Sequence, residues 1–72
     1  MRYATYVKSF IGKAGVVSGN HFHIPGKAEK DVVASHKLME VNEDFVLFKL
    51  PGAKSLSIPL GVLTIAAPMD GM

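Results

Sequence analysis

The chain contains no cysteine in its 72 residues. Disulfides and thiolate metal sites, two of the usual staples of very small proteins, are therefore excluded, leaving close packing or oligomerisation to stabilise it. Charge is also scarce, 19% of residues against 49% hydrophobic. A domain this short buries only about 60% of the surface its unfolded chain exposes, so part of so apolar a composition is expected to face another subunit. A membrane-spanning run is missing as well. The longest uncharged stretch, Ser55 to Met69, holds two serines and two prolines and falls short of the roughly 20 apolar residues a spanning helix needs. Lys8 and Lys13 interrupt the apolar core that a signal peptide would require. Repeats, linkers and low-complexity segments are absent. The expectation is one soluble, cytoplasmic domain over residues 1–72 with no membrane partner. Its net charge of +2 and pI near 9.1 permit an anionic partner without demanding one.

Near the start, Tyr3, Tyr6, Val7, Phe10 and Ile11 recur at helical spacing. The same residues also suit a strand, and residues 1–12 are read as a short helix with that alternative open. Turn chemistry then punctuates the chain. "GVVSGNHFHI" runs into Pro25-Gly26, "VVASHKLMEV" into Asn42, and Phe45 to Leu50 into Pro51-Gly52; Ser55 to Leu60 and Val62 to Ala67 follow, broken at Gly61. Five strands with tight turns predict a mainly β fold, a small, strongly bent, SH3-like or Sm-like barrel over residues 16–67 capped by the helix, since closing a sheet removes its exposed edges.

Side-chain alternation sets Phe45 and Leu47 on one face of the third strand and Val46, Phe48 and Leu50 on the other. Leu63 and Ile65 likewise oppose Val62 and Ala66. One barrel has one interior, so the second apolar face is expected to be covered by the N-terminal segment, by a neighbouring copy, or by both. Pro59 cannot donate to a ladder and places the fourth strand at a sheet edge or a bend.

Other chemistry finds little footing. His21 and His23 share a strand face and His36 offers a third ligand, but without thiolates a zinc site is not expected. "GAKS", Gly52 to Ser55, echoes the end of a phosphate loop yet lacks the earlier glycine and precedes a strand with Pro59, not a helix. Ser18, Ser35, Ser55 and Ser57 stand in no nucleophile elbow. Glu40, Glu43 and Asp44 read as solvated charge, and Met39, Met69 and Met72 as filler or a frayed tail. The chain is expected not to be an enzyme and to carry no cofactor. A basic cluster of Lys27, Lys30, His36 and Lys37 around the first long loop, with Phe22 for stacking, is the candidate contact for RNA or DNA; Glu29, Asp31 and Glu40 among these residues equally suit an ordinary solvated surface.

"HFHIPGK", "LMEVNEDFVLFKL" and "KSLSIPLGVLTIAAP", spanning residues 21 to 68, resemble in their order the Sm-like proteins, most of all the bacterial Sm-like RNA chaperones. The resemblance implies a short helix capping a bent five-stranded sheet, and a homo-oligomeric ring closed by pairing the last two strands of adjacent subunits, which binds RNA. Asn42 stands where that family often has Asp, and is carried over as a site residue. Two differences bear on function: Pro59-Leu60-Gly61 occupies the loop where the family presents a basic residue, and Asn42-Glu43-Asp44 sets carboxylates in the other pore loop. An alternative of another class is an assembly module, an oligomeric ring docking a protein partner without binding nucleic acid.

Overall fold

The computed structural model describes residues 2–67; Met69 and Met72 lie outside them. A single helix, α1 (Tyr3–Lys8), precedes β1 (Ala14–Ser18), β2 (His21–His23), β3 (His36–Val41), β4 (Phe45–Leu50), β5 (Lys54–Pro59), a 3-10 turn (Leu60–Val62) and β6 (Thr64–Ala66). The fold is mainly β, one open mixed sheet in the order β5-β4-β3-β1-β2-β6. All neighbours run antiparallel except β2 and β6, which are parallel.

The N-terminal segment is helical, but shorter than residues 1–12. Turns continue past Lys8 until Gly12, at φ +91°, donates its N–H to the Leu38 carbonyl at 2.8 Å and leads the chain into β1. The apolar stripe divides. Val7 is fully buried, with Ala4 and Phe10 packed against the core, whereas Tyr3, Tyr6 and Ile11 remain exposed.

Six strands replace the expected five because "GVVSGNHFHI" is a hairpin and not one strand. Ser18 pairs with His21 across Gly19-Asn20, and Gly19 takes φ +61° at the first central position, as a type II′ turn requires. The second expected strand loses its first residues. The Val32 and Ser35 N–H groups bond back to Glu29 and Val33, and β3 starts only at His36. Pro25-Gly26 also departs from expectation: Gly26 has no positive φ, and the turn runs from its carbonyl to the Glu29 N–H at 3.0 Å. Pro51-Gly52 turns as expected, with Gly52 at φ +80° and Ala53 at +62°.

The sheet is bent sharply at β1. Ala14 and Gly15 pair with β3, while Val16 to Ser18 pair with β2. Gly15 is the bend, since a Cβ there would run into the His23 carbonyl and stand 2.8 Å from Phe22 Cε1. In a flat sheet β2 and β4, three positions apart, would be separated by roughly 14 Å. Yet the Phe22 and Phe48 rings lie 4.8 Å apart between centroids, so the two halves face one another. Between them and α1 lies the core of Val7, Phe22, Leu38, Val41, Val46, Phe48, Ile58, Leu60 and Leu63.

The sheet is open: β5 and β6 are its two edges. Pro59 lies on an edge strand, one of the two placements its chemistry allows. The second apolar face is there too. Phe45 and Met39 are 36% and 43% exposed and Leu47 is half-buried on the side of β4 away from the core. The helix packs on the core side through Val7 and leaves that outer face uncovered.

Candidate nucleic-acid interface

Phe22 offers no stacking surface. In β2 it alternates with His21 and His23, and its ring is fully buried against Phe48. Lys27 and Lys30 are exposed in the loop between β2 and β3. That loop is anchored by Glu29, whose carboxylate accepts from His23 Nε2 at 2.8 Å and from the Gly26 N–H at 3.1 Å. The His23 hydrogen bond first, and the Gly26 N–H second, hold the Glu29 carboxyl below its usual range. His36 is half-buried with Nδ1 at 2.9 Å from Ser35 Oγ.

Lys37 and Asn42 stand toward opposite ends of β3, separated by roughly 17 Å of strand. Lys37 pairs across the sheet with Lys49, two like charges directly opposite, an arrangement that destabilises unless something neutralises it. Lys54 and Ser55 stand beside Lys49 along a groove floored by Met39, Leu47 and Ala53. The expected cluster is therefore divided among the loop, the outer face and the far end of β3.

At that far end lies a cleft of about 440 Å³ lined by Arg2, Tyr3, Thr5, Lys8, Asn42, Glu43 and Leu60, among others. Asn42 is held by its turn. Its Oδ1 accepts the Asp44 and Phe45 N–H groups at 2.8 and 2.9 Å, which leaves the amide NH₂ as a donor. Tyr3 anchors α1 by donating its hydroxyl to the Leu63 carbonyl, and burial, then Tyr6, raises its pKa above the ordinary value. Tyr3 is 42% exposed, and its ring stacks 5.9 Å from Tyr6, which meets Phe10 edge-on at 5.1 Å. Arg2 reaches Glu43 at 3.9 Å with both side chains more than four-fifths exposed, a pair worth little in water. Two cations, an amide and the Tyr3 ring can hold a phosphate and a base, with the Glu43 carboxylate in the same cleft opposing the phosphate. Arg2, Tyr3, Tyr6 and Lys8 were not among the expected contacts, although α1 spacing puts Arg2, Thr5 and Lys8 three residues apart along one side of the helix.

The imidazoles do not converge. His21 Nδ1 lies 2.9 Å from Thr64 Oγ1, His23 meets Glu29, and His36 meets Ser35. Among the described residues no three potential ligands come together as a metal site, and no helix is long and apolar enough to cross a membrane. Compared with family models, with curated proteins and with solved structures, the chain matches none.

Proposed function

We propose that the chain is a ring-forming Sm-like protein that binds nucleic acid, RNA foremost, through weak basic contacts repeated around a homo-oligomer. The observation that carries this reading is the open sheet. Its unpaired edges are β5 and β6, the strands that the resemblance assigns to contact between subunits, and two unlike edges on one chain favour head-to-tail assembly that closes into a ring. A helix followed by a bent sheet accords with the same family. Multivalency then raises the affinity of contacts that are feeble singly.

The cleft beside α1 is the favoured contact for nucleic acid. Arg2 and Lys8 supply charge, Asn42 a donor, and Tyr3, with Tyr6 stacked on it outside the cleft, the aromatic surface that Phe22 does not. Lys27, Lys30, His36 and Lys37 add outlying charge. Binding of labelled single-stranded RNA is expected to weaken as salt rises, with a slope set by the phosphates neutralised. Arg2→Glu with Lys8→Glu should flatten that slope more than Lys27→Glu, Lys30→Glu and Lys37→Glu together. Tyr6→Ala should weaken binding with the fold retained, whereas Phe22→Ala should unfold the chain. No RNA or DNA binding by an intact oligomer at low salt would overturn this reading. The second reading, an assembly module docking a protein, is favoured by Glu43 at the mouth of the cleft against Arg2, and would stand in that event.

A further inference from the structure

We propose that the outer apolar face of β4 is completed by Ile65 from the β6 edge of a second copy, in one register: Ser57 opposite Ile65 and Ser55 opposite Ala67. This rests on the ring reading and specifies its interface. Each edge points its free backbone groups through particular residues. The Leu60 N–H bonds to the Asp44 carbonyl at 3.0 Å. Successive residues of a strand point to alternate sides, so Ile58, Leu56 and Lys54 face β4, while Ser55, Ser57 and Pro59 direct their N–H and C=O groups to the open edge. In β6 the Thr64 N–H bonds to Asn20 at 2.9 Å and the Ala66 carbonyl accepts from Ile24 at 2.8 Å. The groups of Ile65 and Ala67 therefore point outward, as does the Leu63 carbonyl, while the Leu63 N–H is taken by the Leu60 carbonyl at 3.3 Å.

Antiparallel addition of β6 to β5 must join outward residues to outward residues. Setting Ile65 opposite Ser57 brings Ala67 to Ser55 and Leu63 to Pro59. The last pairing is the discriminating one. Pro59 has no N–H to give, and the Leu63 carbonyl needs none, because the Tyr3 hydroxyl already donates to it. Shifting the register by two residues one way would set the Ser57 N–H against that occupied carbonyl and Pro59 against Gly61 in the 3-10 turn; the other way would set Pro59 against Ile65, whose carbonyl would then have no donor.

The faces follow from the same parity. Directly paired residues project to one side of a sheet. Ser57 pairs with Leu47 on the outer side of its own copy, whereas Ile65 pairs with Phe22 on the core side of its own. Joining the edges carries the core side of one copy onto the outer side of the next. The Ile65 side chain then lies over small Ser57, beside Leu47 and near Phe45, the apolar surface left exposed or half-buried among the described residues.

Cysteine pairs test this cleanly, because the chain has none of its own. Facing hydrogen-bonded residues of antiparallel strands lie about 5.5 Å apart at Cα, within disulfide reach. Under mild oxidation the Ser57→Cys/Ile65→Cys protein should give a ladder of covalent multimers, and Ser55→Cys/Ile65→Cys should not. Leu47→Asp, which leaves the core untouched, should raise the concentration for dissociation by roughly tenfold or more. An oligomer that gives no ladder from the first pair, gives one from the second, or ignores Leu47→Asp overturns the interface and spares the ring. A wild-type monomer in light scattering overturns the ring itself.

Discussion

The Tyr3 hydroxyl donates to the Leu63 carbonyl across 60 positions of sequence, tying α1 to the segment that enters β6. The neutral phenol makes that bond, and the folded-state pKa is raised above the ordinary 10.0. An acid favoured in its neutral form contributes stability that is fully present below its unfolded pKa and lost as pH rises through the higher folded one. Unfolding followed by circular dichroism should therefore show wild type losing stability above about pH 10. Tyr3→Phe should start about 1 kcal/mol lower and lose less over that range. Parallel losses in both proteins would show that the bond plays no part.

Gly15 is required by space and not by backbone angle. Gly15→Ala puts a methyl group against the His23 carbonyl and Phe22 Cε1, at the bend where β1 passes from β3 to β2. We expect a loss on the order of 3 kcal/mol in urea unfolding. A neutral substitution would mean the sheet is not folded over at β1.

Ala53 is strained where Gly15 is crowded. It holds φ +62° directly after Gly52 at +80°, a region that costs a residue with a Cβ about 1 kcal/mol. Ala53→Gly should raise the unfolding midpoint slightly, part of the gain being offset by the greater freedom of glycine in the unfolded chain. A drop in the midpoint would contradict the turn.

Glu29 gives the opposite pH signature from Tyr3. With its carboxyl held below the ordinary value of 4.5 by His23 and the Gly26 N–H, its contribution is present above that value and fades as pH falls through the lower folded one. Because the group is exposed, the effect should be confined to its loop. Amide exchange of the Gly26 N–H should quicken on acidification in wild type, and in Glu29→Gln should be faster already at neutral pH. A rate unchanged by the substitution would contradict the anchoring.

Much of this fold was legible in residue chemistry. Alternation separated Val46 and Phe48 from Phe45 and Leu47 without saying which face is the core, which burial of Val46 and Phe48 decides, and Pro59 narrowed its strand to an edge or a bend. Gly19-Asn20 is a hairpin signal hidden by the uniformly β-rich residues on either side of it. Phe22 obeys the same alternation. "HFH" sets Phe22 opposite both histidines, which suits a core position better than a stacking platform. Lys37 beside Lys49 was not legible, because that pairing depends on the register between β3 and β4, which slips between Leu38 and Glu40. The cleft was hidden for a related reason: Arg2 and Lys8 approach Asn42 only once Val7 docks α1 on the core.

Static light scattering of the purified protein, from micromolar concentration upward, tests most directly whether the open edges and the bare outer face belong to an assembly. A mass several times the 7.7 kDa chain, stable on dilution and lowered by Leu47→Asp, is the expected result. A wild-type mass of one chain across the whole range would contradict it.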